Sequence, residues 1–289
     1  VESAILKFAS FRIRGVPAYG LVEGESARPV TAIFQARYPD LRAALAAGAL
    51  DQVGASALGN PRLPDAADVV FDPVIPNPGK ILCVGVNYRE HMKEMGRKVP
   101  DYPVLFTRAA DSMVGHGCPL VKTRVSQEYD YEGELAFIIG RPARYVKPGE
   151  ALAYVAGFTC LMDGSVRDFQ NHTSQFIAGK NFPRSGSVGP WFVTTDEIPD
   201  PKALQLQTRL NGQVMQQAPV SDMHFGVAEL LAYCSTFAQL EPGDIITTGT
   251  PSGVGFARQP PVWMKAGDVI EVEIGGIGVL RNPIMDEQA

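Results

Sequence analysis

The stretch that most constrains this chain is Asp130-Tyr131-Glu132-Gly133-Glu134-Leu135-Ala136-Phe137-Ile138-Ile139-Gly140, where two carboxylates open an apolar run closed by glycine. Such a run reads as a strand. Strand residues i and i+2 point to one face, so Glu132 and Glu134 aim at one point, with Asp130 next in the row. Neighbouring carboxylates repel and raise each other's pKa. Something positive belongs between them, and a hard divalent cation is the simplest candidate. Gly133 leaves the opposite face open to a close approach of backbone or ligand.

A third carboxylate, Asp163, closes the apolar stretch Phe158-Thr159-Cys160-Leu161-Met162. An acid there is costly unless it is paired or metal-bound. Glu132, Glu134 and Asp163 would make an oxygen site suited to Mg²⁺, Mn²⁺ or Ca²⁺, with positions left for water or substrate. The plainer alternative makes Glu132 a surface strand residue and Asp163 a turn starter. Spacing alone does not separate the two.

The chain has 289 residues, 45% hydrophobic and 20% charged, with a net charge of −5. That suits a globular enzyme-sized protein with an ample core. Without a long basic run, nucleic acid is not an expected partner. No apolar segment reaches the length of a membrane span and none resembles a signal peptide, so no membrane partner is expected. Cys83, Cys118, Cys160 and Cys234 form no CxxC pair, which argues against a disulfide framework or structural zinc. A reducing cytoplasm fits best.

Residues 1–72 read as a small N-terminal α+β unit, with strands over Ser3–Arg14 and Ala18–Glu23 and a helix over Tyr38–Leu50 capped by Asp40. The proline-rich stretches Asn60–Asp68 and Pro73–Pro78 mark an extended linker. Residues 73–289 read as β-rich, with strands expected at Ile81–Val86, Tyr102–Phe106, Glu134–Ile139, Ala153–Met162, Gly189–Thr194, Leu204–Asn211, Asp244–Thr248 and Val269–Ile274. Asn211-Gly212 signals a hairpin. The clearest helix of this part is Phe225–Leu240. Strands do not alternate regularly with helices, so a doubly wound α/β fold is disfavoured.

Four blocks occur in a recognisable order: Asp130 to Gly140; Met162-Asp163-Gly164-Ser165-Val166-Arg167-Asp168-Phe169-Gln170; Ala178-Gly179-Lys180-Asn181-Phe182; and Thr248-Gly249-Thr250-Pro251-Ser252-Gly253-Val254-Gly255. Over residues 73–289 the chain resembles the fumarylacetoacetate hydrolase family. The resemblance implies an α+β, β-rich fold: a mixed β-sheet roll of that family's C-terminal type, behind the small N-terminal domain. It implies that Glu132, Glu134 and Asp163 hold a metal, and that the protein is a homodimer.

His91 and Glu94 lie three apart on a short helical stretch and can meet. A carboxylate bonded to imidazole fixes its tautomer and raises its basicity, which makes a general base; an ordinary surface charge pair is the alternative. The resemblance favours catalysis for the pair and gives Lys180 the stabilisation of developing negative charge. It places Tyr88, otherwise a core aromatic, and Gln170 near the substrate; Thr250, in a Gly-Thr-Pro turn, offers its hydroxyl and N–H to a substrate carboxylate or serves the turn alone. Arg167 matches an Arg-Asp-x-Gln element, or pairs with Asp168. Arg108 stands where many members have lysine; arginine is a planar fork, not a point charge, so Arg108 is expected to neutralise the site and meet substrate in its own way. His116, His172 and His224 read as structural or surface residues.

The leading expectation is a metal-dependent hydrolase cleaving a C–C bond in an acylpyruvate-like or 1,3-dicarbonyl acid. One rival is decarboxylation or keto–enol isomerisation of a 2-oxo diacid, in aromatic-compound catabolism. The other is a non-catalytic metal-binding scaffold. In either enzyme the partner is a small 2-oxo acid or diketo acid.

Overall fold

The computed structural model describes residues 6–24, 26–63 and 69–288. Eleven strands form one mixed sheet. Its main run is Ser26–Pro29, Val16–Glu23, Lys7–Ile13, Gly186–Thr194, Val155–Met162, Gly133–Ile139, Ile245–Thr247, Ile81–Gly85 and Val104–Arg108. Only the pairing of Ile245–Thr247 with Ile81–Gly85 is parallel along that run. A second sheet of five strands runs Gln213–Pro219, Gln205–Leu210, Val269–Ile274, Gly278–Asp286 and Leu120–Lys122. The β-rich, mixed-sheet reading of the sequence therefore holds, with short helices confined to the margins.

The central strand Gly133–Ile139 is buried along its whole length. Leu135, Phe137 and Ile139 share a core with Leu206, Val272, Ile274 and Leu280 of the second sheet. Ala136 and Ile138 face the other way, into a core with Phe8, Tyr19, Leu41, Leu45 and Val53. Each large apolar side chain buried in this way contributes about 1.5–3 kcal/mol. The alternation puts Glu134 on the Ala136 and Ile138 face, at the strand end beyond the N-terminal helices. A cavity opens there.

The expected helix over Tyr38–Leu50 is two helices. Asp40 caps Leu41–Ala46 by accepting the Ala43 N–H at 2.7 Å. The chain then breaks at Gly48 and restarts as Leu50–Leu58; glycine is a poor helix former, and this one ends the first helix. Of the N-terminal expectations, residues 3–5 of the first strand and 64–68 of the linker lie outside the described residues. Lys7 and Phe8 pair with Val193 and Phe192, so the first strands extend the sheet that carries the carboxylates. Asn211 and Gly212 both have positive φ, 53° and 79°, as a type I′ turn between Gln205–Leu210 and Gln213–Pro219 requires. The helix expected at Phe225–Leu240 is Val227–Phe237. All four cysteines are free, and three are buried. Among the described residues no helix is long and apolar enough to cross a membrane.

Gly133 is required by packing. A Cβ there would lie 2.0 Å from Thr208 Oγ1 and 3.3 Å from Val272 Cγ1 of the second sheet. Gly133→Ala is expected to lower stability by about 1–3 kcal/mol through overpacking, read by urea unfolding. Adding Thr208→Ala, which removes the closest atom, should recover most of that loss; no recovery would mean the glycine serves another purpose.

Candidate active site

Three carboxylates converge at one end of the main sheet. Glu132 and Glu134 come from the start of the central strand, and Asp163 from the end of its antiparallel neighbour. The register pairs Gly133 with Met162, and the Asp163 N–H donates to the Glu132 carbonyl at 2.8 Å. One oxygen of each side chain lies within 4.8 Å of the others, and all three residues are buried.

Three cations answer them. Lys180 Nζ donates to Glu132 Oε2 at 2.7 Å and to Asp163 Oδ2 at 2.6 Å. Arg108 Nη1 donates to Asp163 Oδ1 at 2.5 Å. Arg167 Nη2 lies 2.7 Å from Glu132 Oε1 and 2.8 Å from Asp130 Oδ2. Burial drives the Glu132 carboxyl up, but Lys180, Arg167 and then His91 outweigh it and hold the group at about 2. Glu134 differs. Burial, then Asp163 and Glu132, push its pKa well above the ordinary carboxylate range. Its direct partners are the Gly249 N–H, at 3.0 Å, and the Thr247 hydroxyl, so no cation among the described residues touches it. With Asp130, four buried carboxylates face three fixed cations. The donor set fits a hard divalent ion, and Glu134 is the member that lacks positive charge.

Asp130 stands apart from the triad. It accepts from Arg167 Nε at 2.9 Å and from the Gly255 and Phe256 N–H groups at 2.8 and 2.9 Å. It anchors Arg167 and the loop after Thr250.

His91 sits on the short helix Arg89–Glu94, 5% exposed. Its Nδ1 lies 2.9 Å from Glu94 Oε2, and Glu94 Oε1 accepts the Gly253 N–H at 2.8 Å. The helix is thus tied to the loop on the far side of the cavity. With Nδ1–H donating to Glu94, Nε2 is the nitrogen left to take a proton. Just before this helix, Val86 has φ +55°, a strained value for a β-branched residue. Asn87 holds the turn: its amide donates to the carbonyls of Phe225 and Thr248 at 3.0 and 2.8 Å, and its oxygen accepts the Phe225 N–H at 2.9 Å.

The expected site residues do not all converge. His91, Lys180, Gln170 and Thr250 line one cavity with Glu132 and Glu134. Arg108 does not reach it. The Arg108 N–H groups are spent on Asp163, Gly164, Ser112 and Ser185, and its side chain is fully buried. The expected substrate contact is therefore corrected to a structural one: Arg108 orients Asp163. Tyr88 is 1% exposed and lies behind the cavity wall; burial and then Glu134 push its phenol up. The Thr250 hydroxyl donates to the Gly133 carbonyl and accepts from Gln216. Arg167 pairs with Asp130 and Glu132, not Asp168, which instead accepts from Ser126 at 2.7 Å. Gln170 accepts from Arg167 Nη1 at 2.9 Å, which orients its amide. Of the other histidines, His116 accepts the Arg281 N–H at 3.1 Å and packs on Phe71; His172 and His224 pack on Phe169 and Phe225. Thr247 and the apolar walls Phe106, Phe176 and Phe256 were not singled out as site residues in the sequence, and Gly249 was read only as part of a family block. Nothing marks them locally as parts of a site.

The family model described as fumarylacetoacetate (FAA) hydrolase C-terminal matches residues 80–285. The oxaloacetate tautomerase FAHD2A, mitochondrial, of Bos taurus is 41% identical over 221 residues, covering 76% of this chain and 70% of that protein. Fumarylacetoacetate hydrolase (EaFAH) from Exiguobacterium antarcticum has a similar structure, with a TM-score of 0.86 at 35% identity over 98% of this chain and 100% of that one. Maleylpyruvate hydrolase from Sphingobium sp. SYK-6, in complex with manganese (II) ion and pyruvate, reaches a TM-score of 0.81 at 28% identity, again over 98% and 100%. By its matched domain, its relatives and its fold, this chain belongs to the fumarylacetoacetate hydrolase family.

Proposed function

We propose that this protein is a divalent-metal-dependent enzyme acting at the enolisable carbon of a short 2-oxo diacid, interconverting its keto and enol forms, with oxaloacetate the first substrate to test. The observation that carries the reading is the buried His91, bonded to Glu94, on the same cavity as Glu132, Glu134 and Lys180. The identity to relatives named oxaloacetate tautomerases supports the choice of reaction. The cavity volume of about 50 Å³, room for only a few water-sized groups, favours a short acid.

Glu132, Glu134 and Asp163 would hold Mg²⁺ or Mn²⁺, with Ca²⁺ a further candidate. When bound, the ion would polarise the 2-oxo group and make the neighbouring C–H more acidic. His91 Nε2 takes that proton and returns it to the other end of the enolate. Glu94 keeps Nδ1 protonated and stabilises the charged ring. Lys180, already at the carboxylates, places positive charge where the enolate develops. Gln170, oriented by Arg167, donates its amide to a substrate oxygen. The apolar walls keep the site dry and strengthen each of these interactions.

The second reading is hydrolytic C–C cleavage of an acylpyruvate-like acid, which the likeness to a maleylpyruvate hydrolase supports. His91 would then take its proton from water, and the departing group is again an enolate. The two readings separate on substrates. Tautomerisation predicts fast loss of enol-oxaloacetate absorbance with no carbon released; cleavage predicts pyruvate release from acylpyruvates. Four free cysteines suit a reducing compartment, such as the cytoplasm expected from the sequence.

His91→Ala is expected to slow turnover at least about 100-fold while Mn²⁺ binding, followed by calorimetry, stays within a few-fold. Retained turnover would remove His91 from the mechanism. Chelation with EDTA should abolish activity, and added Mg²⁺ or Mn²⁺ should restore it; full activity in EDTA would rule out the metal. Arg108→Met leaves Asp163 short of one buried partner and should cost about 3 kcal/mol of stability. It should also weaken metal binding by roughly 10–100-fold, whereas unchanged metal affinity would show that Asp163 needs no such support.

A further inference from the structure

Three cations line the cavity: Arg167, Lys180 and Arg97. The first two are committed to buried carboxylates. Arg97 makes no side-chain hydrogen bond or ion pair among the described residues and is exposed at the rim. Its backbone is well held. Gly96 follows the helix Arg89–Glu94 with φ +60°, the left-handed value that favours glycine. The Gly96 N–H donates to the Lys93 carbonyl at 3.1 Å and the Arg97 N–H to the Met92 carbonyl at 2.8 Å. These two bonds form a Schellman turn, which folds Arg97 back against Met92, so that Arg97 lines the same cavity as His91 on the adjoining helix.

A four-carbon 2-oxo diacid has two ends of different chemistry. Its oxo group and first carboxylate belong at the buried end, with the carboxylate triad, Lys180 and Gln170. The second carboxylate must lie farther out, among Val86, Phe106, Phe176 and Phe256. An unpaired carboxylate against such walls is costly, and a guanidinium offers a two-pronged partner. We propose that Arg97 is the specificity-determining residue that binds this second carboxylate and makes the site selective for 2-oxo diacids over 2-oxo monoacids. The inference rests on the 2-oxo acid reading of the site given above. Because one turn joins Arg97 to His91, the same contact also settles the base against the carbon it deprotonates.

The test is calorimetric binding of oxaloacetate and of pyruvate to the Mn²⁺-loaded full chain, as wild type, Arg97→Gln and Arg97→Lys. Wild type is expected to bind oxaloacetate at least about 10-fold more tightly than pyruvate, as one added charged hydrogen-bonded contact allows. Arg97→Gln should lose roughly 10–100-fold on oxaloacetate and less than about twofold on pyruvate, with Arg97→Lys between the two. Equal losses on both acids, no loss on oxaloacetate, or a wild type without preference for the diacid would overturn the assignment. Turnover is read separately. If neither acid is turned over, the proposed reaction fails, and the binding ratio still decides the role of Arg97. The residue is exposed, so the variants should fold, and matching thermal unfolding confirms it.

Discussion

The structure depends on burying carboxylates at the end of an apolar sheet. Each ion removed from water costs several kcal/mol, and pairing repays that only with good geometry and every lone pair met. Arg108, Arg167 and Lys180 meet most of the demand from three separate segments. Arg108 gives all its donors to that corner of the protein, where a lysine could fill only part of the role. Glu134 is left with a backbone N–H and a hydroxyl, and this imbalance leaves room for a cation that a complete salt-bridge network would not.

The remaining architecture brings His91 to the cavity that the cluster lines. Asn87 makes three hydrogen bonds to lock the turn containing the strained Val86, which sets where the His91 helix begins. The Glu94–Gly253 bond fixes its other end to the opposite loop. His91 therefore gains a defined tautomer and a defined place from two chain segments some 160 residues apart, as the separation of 159 between Glu94 and Gly253 records. The proposed proton chemistry would draw on that rigidity, since a base held loosely loses much of its advantage.

Tautomerisation and C–C hydrolysis share one demand, the stabilisation of an enolate beside a metal. In the proposed reading the cluster, Lys180 and the His91–Glu94 pair would meet it for either reaction, so membership of the family does not choose between them. In that reading the choice would fall to the cavity's walls and rim, where volume and the placement of Arg97 would select the acid that enters.

The parts legible in the sequence are those with local causes. The period of two along Glu132 to Ile139 marked the strand and its acidic end, Asn211-Gly212 marked a hairpin through its need for positive φ, and Asp40 marked a helix start. The break at Gly48 was harder, because an alanine-rich run reads as helix on either side of it. The partners of Arg108 and Arg167 were illegible for a different reason. Those partners, Asp163 and Asp130, lie 55 and 37 residues away, and a guanidinium's target is chosen by whichever carboxylate the fold leaves unpaired. The sequence by itself determined that carboxylates would gather on a buried strand and would need positive charge. Only the tertiary structure decided which cation answers which oxygen, that Lys7–Ile13 joins the same sheet, and that Arg97 is left facing the cavity, because those outcomes depend on contacts between segments that no local pattern encodes.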